Sequence, residues 1–352
     1  MTTFASIVSI VRKEFLKLFR DARTLLIVLV MPIVLLLLFG FAISTDVNDV
    51  RVAAVVSDHT DRTREILLRM QTNPYFTFVG MTTHQDIDRL LRTSGADAVV
   101  VLETSNGELR SQIVTDGTNT TLAQATQAYV TQLITGPAQS PVISHVLYNP
   151  QLKSSYNFVP GILGLIFLLI CGIMTSVSIV SERQSGTMDL LLVSPIHPRT
   201  IIVGKLVPYF LLSCLILLLM LTLSYTVLGL PFSSKVVDVV LISMLYIALA
   251  LSIGLFVSTL VKTEVAALIV SAIGFMIPVI MLSGMIFPID NMPDVLQWFS
   301  CIVPARWYIS AMRKLMIQQL PLDYVGVEIA VLAGMAVFIL TLAVAKFKRS
   351  MR

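Results

Sequence analysis

Ser181 to Thr200, SERQSGTMDLLLVSPIHPRT, is the one substantial polar stretch between two long apolar runs in the second half of the chain. Its residues are ordered as a short helix needs them. Gly186 can relax the backbone ahead of a helix start, Thr187 can cap it, and Asp189 puts a carboxylate in the first turn, where the positive end of the helix dipole favours it. Met188, Leu191 and Leu192 share one face at helical spacing. Pro195 and Pro198 stop the helix, because the residue ahead of a proline is driven out of the α region. The expected element is a stubby helix with an apolar face, held at a membrane surface. On pattern alone a solvated connecting loop fits as well, since capping signals are common.

Composition places the rest of the chain in a membrane. Of 352 residues, 56% are hydrophobic and 13% charged, with a mean hydropathy of +0.85, outside the balance of soluble domains. Cys171, Cys214 and Cys301 make no paired framework, and the first two fall inside apolar runs. His59, His84 and His145 stand apart, without the Cys or carboxylate spacing of a metal site. A net charge of +4 leaves no basic stripe for nucleic acid.

From the start of the chain, Phe4, Val8, Val11, Phe15 and Leu18 recur at spacings of three and four while Lys13, Lys17 and Arg20 take another face, so residues 1–23 are expected to form an amphipathic interfacial helix. Residues 24–44 are the first span: the apolar run exceeds the ~7–15 residues of a signal-peptide core, and Pro32 is a tolerated kink. Over 45–157 charge returns and apolar runs shorten. Strands are expected at Arg51–Val56, Ala98–Leu102 and Glu108–Val114, and helices at Asp61–Met70, at His84–Leu91 and along Leu122, Ala125, Tyr129 and Leu133, giving an inserted α/β domain.

Residues 158–352 hold five more apolar runs, near Gly161–Val180, Ile202–Leu228, Val239–Val261, Ala266–Phe287 and Val325–Ala345. Each is long enough for the ~20 residues that a spanning helix needs, so the fold class is an α-helical polytopic membrane protein with six transmembrane helices. Arg12, Lys13, Lys17, Arg20 and Arg23 precede the first span and Lys346, Lys348, Arg349 and Arg352 follow the last, which puts both termini in the cytoplasm. Arg183, Arg199 and Lys205 count as cytoplasmic loop cations, and the α/β domain is then extracytoplasmic. Leu211–Leu223, dominated by Leu, Ile and Met, suits a lipid-facing helix. Ala250, Gly254 and Ser258 form a small-residue stripe that packs closely against another helix, of this chain or of a second copy.

Taken as written, E-R-x-x-G-T-x-D-x-L-x-x-S-P, that is Glu182, Arg183, Gly186, Thr187, Asp189, Leu191, Ser194 and Pro195, resembles the signature of type-2 ABC exporter permeases. Gln184 stands where an acid is usual and Asp189 where Glu is usual. The resemblance implies that loop 181–200 holds a coupling helix seated in a cleft of an ATPase subunit. It also implies two such ATPase chains, which bind ATP and Mg, and a second permease chain, identical or not, embedded with this one in the lipids of a bacterial cytoplasmic (inner) membrane. Ser283–Lys314 resembles the family's pair of short helices dipping in from the outer face. Phe287, Pro288, Trp298 and Pro304 would shape that outer gate, with Arg306 and Arg313 meeting headgroups or substrate, or serving as plain interface anchors. A large domain between the first two spans resembles drug and lipid exporters, so the expected cargo is amphiphilic.

The chain has no phosphate cradle of its own, because its only Gly-Lys pair, Gly204-Lys205, is followed by Leu206 rather than Ser or Thr. It is thus expected to be a transport subunit without an ATPase site. An ion-driven carrier or channel, the alternative, needs ionisable groups within its spans. With Lys205 counted as a loop residue, Glu328 near the outer end of the last span is the group that reading finds. A membrane-anchored sensor would need one or two spans. The orientation is checked by labelling: with Cys301 removed, a cysteine at Ser105 is expected to react with an impermeant thiol reagent in intact cells and one at Ser185 only after lysis. Reversed labelling overturns the topology.

Overall fold

Apolar runs of bilayer length all become helices. The computed structural model describes residues 3–42, 50–57, 60–73, 76–92, 95–105, 108–115, 120–135, 154–188, 197–232, 235–287, 289 and 292–350. Two units emerge, one from residues 1–43 with 154–352 and the other from 44–153.

The first unit begins with α1 (Thr3–Arg20) and α2 (Ala22–Ala42). Asp21 separates them. Its carboxylate accepts from the Thr24 hydroxyl at 2.5 Å and from the Thr24 N–H at 3.2 Å, capping α2, and these bonds hold the carboxyl below its usual pKa.

The 44–153 unit is β1 (Val50–Val56), α3 (Asp61–Thr72), β2 (Phe76–Met81), α4 (Ile87–Arg92), β3 (Ala98–Ser105), β4 (Glu108–Thr115) and α5 (Thr120–Thr135). Its sheet runs β2-β1-β3-β4, with β1 parallel to β2 and β3, and β4 antiparallel to β3. Alternation sends Val50, Val52, Val100 and Leu102 to one face, against Ile66 and Met70 of α3, and Ala53, Val55, Val99 and Val101 to the other, towards Leu90 and Leu91 of α4. Strand β2 has no counterpart in the expectations. It is an edge strand whose exposed positions include Val79 and Met81, so its sequence lacks the apolar–polar alternation that marks a strand. His84 pairs with Glu103 at 3.1 Å, and His59 and His145 lie outside the described residues.

The membrane unit resumes with α6 (Ser154–Gln184), α7 (Pro198–Thr226), α8 (Val236–Ser258), α9 (Glu264–Leu282), the short α10 (Asp294–Ser300) and α11 (Pro304–Met312), and α12 (Gly326–Ser350). Among the described residues six helical segments are long and apolar enough to cross a membrane, in α2, α6, α7, α8, α9 and in α12 with the turn before it. About α6 and α8 the unit is built: 72% and 61% of their apolar segments are buried, against 11% for α2 and 17% each for α9 and α12. The outer helices expose Leu, Ile and Val in amounts that water does not tolerate and lipid does. On α7 the expected lipid-facing stretch is two-sided, with Leu211, Leu215 and Leu218 exposed but Ile216, Leu217, Met220 and Leu221 buried.

Small residues let α6 and α8 approach. A Cβ built on Gly254 would stand 2.6 Å from the Gly172 carbonyl oxygen, and Ala250 and Ser258 of the same stripe are fully buried. Of the two packing partners that the stripe allowed, α6 of the same chain is the one that Gly254 meets. Two buried tyrosines of this core find partners for their hydroxyls. Tyr246 and Tyr308 stack at 4.2 Å, Tyr246 donates to the Gly164 carbonyl at 2.8 Å, and Tyr308 bonds Ser243 at 2.9 Å. Gly254→Ala is expected to destabilise this unit by about 1–3 kcal/mol through overpacking, whereas Gly274→Ala, where an added Cβ meets nothing, costs nothing. Equal melting temperatures for the two purified variants would mean that α6 and α8 do not touch at Gly254.

Candidate functional site

Sequence periodicity ended the second span near Val180, but α6 continues to Gln184, so Glu182 and Arg183 belong to its last turn and not to a loop. The helix can run on because each polar side chain of that turn finds a partner. Three consecutive residues reach three ways. Glu182 meets Lys13 of α1 at 2.7 Å and Lys205 of α7 at 2.5 Å. Arg183 donates to the Ser258 and Val261 carbonyls, at 3.1 and 3.5 Å, which closes the C-terminal end of α8. Gln184 accepts from the Glu264 N–H at 3.1 Å, serving one of the free donors that open α9.

Lys205 overturns its assignment as a loop cation. It lies in the second turn of α7 with its side chain 2% exposed, between Glu182 and the fully buried Glu14 of α1, whose Oε1 is 3.3 Å away. Tyr209, one turn further along α7, donates to the other Glu14 oxygen at 3.4 Å. Two lysines and two glutamates thus make one cluster, in which each carboxylate has a lysine within 3.3 Å. Glu328 is likewise engaged: it accepts from Lys314 at 2.6 Å and Ser310 at 2.8 Å, tying the end of the short helices to α12.

Gly186 follows with φ +71°, a left-handed turn that ends α6, and nothing crowds the space a side chain would take there. Thr187 and Met188 are helical again after this turn, and the Thr187 hydroxyl donates back to the Glu182 carbonyl at 3.2 Å. Met188, expected on the apolar face of the short helix, is buried with Ile179, Ile202, Leu255 and Phe347 of its own chain. Asp189, Leu191, Ser194 and Pro195 lie outside the described residues.

At the far end of α9, Phe287 and Trp298 are exposed and Pro304 sits in the first turn of α11, while Pro288 lies outside the described residues. Arg306 does not reach outward. It donates to the Gln297 carbonyl at 2.9 Å and to the Ser300 hydroxyl, clasping α10 to α11, and its guanidinium lies 5.3 Å from the Trp307 ring centre. Arg313 donates to the Gly284 carbonyl at 2.7 Å. Both arginines therefore serve backbone carbonyls that helix ends leave open.

Sequence reasoning missed Glu14 as a site residue. The signal was present, because Glu14 is the single acidic residue of α1, on the face shared by Ile10 and Leu18. Lys205→Met would leave Glu14 buried without a cation and is expected to destabilise the protein by about 3–5 kcal/mol, and Lys205→Met combined with Glu14→Gln to recover most of it. Thermal unfolding of the purified variants reads both, and a harmless single change would mean that the cluster is not buried.

The profile of the family described as "ABC-2 family transporter protein" matches residues 22–345. From Escherichia coli (strain K12), the protein named probable multidrug ABC transporter permease YbhS is 29% identical over 96% of this chain and 95% of its own length. Its namesake YbhR is 27% identical over 90% and 91%. Inner membrane transport permease YhhJ of the same organism is 24% identical over 68% and 67%. With the profile running from the first membrane-crossing helix to the last, and with the polar end of α6 inside it, this chain belongs to the ABC-2 family of transporter permeases.

Proposed function

We propose that this chain is the permease subunit of an ATP-driven exporter that carries an amphiphile, drug-like or lipid-like, outward across the cytoplasmic membrane of a bacterium. A separate ATPase subunit binds ATP and Mg and docks on the 181–200 segment through Asp189, Leu191, Ser194 and Pro195. Two permease chains surround the path with two ATPase chains beneath, both termini are cytoplasmic, and residues 45–157 form an extracytoplasmic domain. Phe287, Pro288, Trp298, Pro304 and Arg306 shape the outer gate. The multidrug names of YbhS and YbhR support the class of cargo.

The observation that carries this reading is the reach of Glu182, Arg183 and Gln184 to α1, α7, α8 and α9. A docking protein that displaces the chain beyond Gly186 works on the last turn of α6, and through these three side chains on four more helices. Gly186 is the joint. No cation, nucleophile or acid-base pair at this place is needed for the work, because the free energy arrives as motion from the ATPase.

Gly186→Pro forces φ to about −65° where the chain holds +71°, and Asp189→Lys sets a cation at the positive end of the expected helix, costing about 0.3–1 kcal/mol before any lost contact. Both variants are expected to accumulate and to co-purify with the ATPase, yet to lose ethidium efflux from cells and the rise in ATP hydrolysis that the complex shows over the free ATPase. Unchanged hydrolysis and efflux would make the segment a mere connector.

A further inference from the structure

Lys205 stands between two carboxylates at unequal distances, 2.5 Å from Glu182 and 3.3 Å from Glu14, and the three side chains are at most 4% exposed. For holding α7 to α6 one carboxylate would suffice. Hydrophobic residues of similar volume in place of the whole cluster would cost the fold little or nothing, since replacing buried ion pairs by apolar groups is often neutral or stabilising. The second carboxylate therefore calls for another explanation.

Glu182 is four residues from Gly186, the left-handed turn with open space around it, and is the carboxylate nearest the segment proposed to take the ATPase. Glu14 is on a different helix and is oriented by the Tyr209 hydroxyl at 3.4 Å. If Glu182 withdraws with that segment, Lys13, with its side chain half exposed, can follow it or turn to water, but Lys205 can do neither. A buried ammonium left alone would set a high barrier to the motion. A lysine head is a compact charge on a flexible stem, so it can pass between two acceptors less than 1 Å apart in range without leaving its site.

We infer that Glu14 is a positioning residue for the transport cycle: it is the standby acceptor that takes Lys205 when Glu182 moves, giving the end of α6 two arrangements of a buried ion pair instead of one. This rests on the reading that the ATPase engages the 181–200 segment. It goes further in assigning α1 a part in the motion beyond anchoring, and in naming the residue of α1 that takes it.

The test uses the permease–ATPase complex in lipid nanodiscs with MgATP as the probe. Glu14→Gln keeps Lys205 paired to Glu182 and is expected to melt within a few degrees of wild type while kcat for ATP falls at least about tenfold, the effect of about 1.4 kcal/mol on a barrier, with KM for ATP unchanged. Adding Lys205→Met removes the cation that needs a second acceptor, so the double variant is expected to regain most of the lost turnover. A purely structural role for Glu14 predicts instead that the melting temperature falls and recovers in step with turnover. Glu14→Asp, which keeps the charge and withdraws it by one methylene, is expected to slow turnover by an intermediate factor and serves if the glutamine variant does not accumulate. Wild-type kcat in the folded single variants, or no recovery in the double variant, overturns the inference. Failure of the wild-type chain to raise ATPase turnover at all would instead sink the docking reading beneath it.

Discussion

A lysine ammonium placed inside a membrane-crossing helix must have a carboxylate within reach, and much of this architecture follows from satisfying Lys205. One acceptor, Glu182, sits on α6 and the other, Glu14, on α1, so the short amphipathic helix is bound to two membrane helices through its buried face. Gly204 completes that contact, since a side chain there would collide with Ile10 of α1. The same turn of α6 then spends Arg183 on the open end of α8 and Gln184 on the open start of α9. Desolvated polar groups that must be paired thus fix the relative places of five helices at one end of the bundle.

What happens at that end is connected to the other by α6 itself. At 31 residues it is about 46 Å long at 1.5 Å per residue, enough to cross the hydrocarbon and project beyond it. Near its start Gly161 lies under Met285, and Gly164 under Tyr308 and Ile309 of α11, while its last turn carries Glu182. Midway, Gly172 admits both the backbone of α8 at Gly254 and the ring of Phe275 on α9. Close-packed interiors of this kind shift between discrete arrangements and do not flex smoothly, which is what a rod linking the proposed docking segment to the proposed outer gate requires. Arg306 clasps the short helices α10 and α11 to each other, and Arg313 and Glu328 tether them to the end of α9 and to α12.

Hydropathy and length determined the six spans, because the bilayer imposes one physical requirement, about twenty apolar residues with every backbone group satisfied locally. Three of the four strands of the small domain and its helices were legible for the same reason, their periods being local properties. The tertiary structure alone decided three things: that β2 closes the sheet edge, that α6 overruns its apolar stretch to carry Glu182 and Arg183, and that Lys205, Glu14 and Met188 face inward. A charged residue next to an apolar run reads as a boundary because a lone charge must stay in water. Whether it has a partner depends on a side chain 191 positions away in the case of Lys205 and Glu14, and no local window of sequence contains that contact.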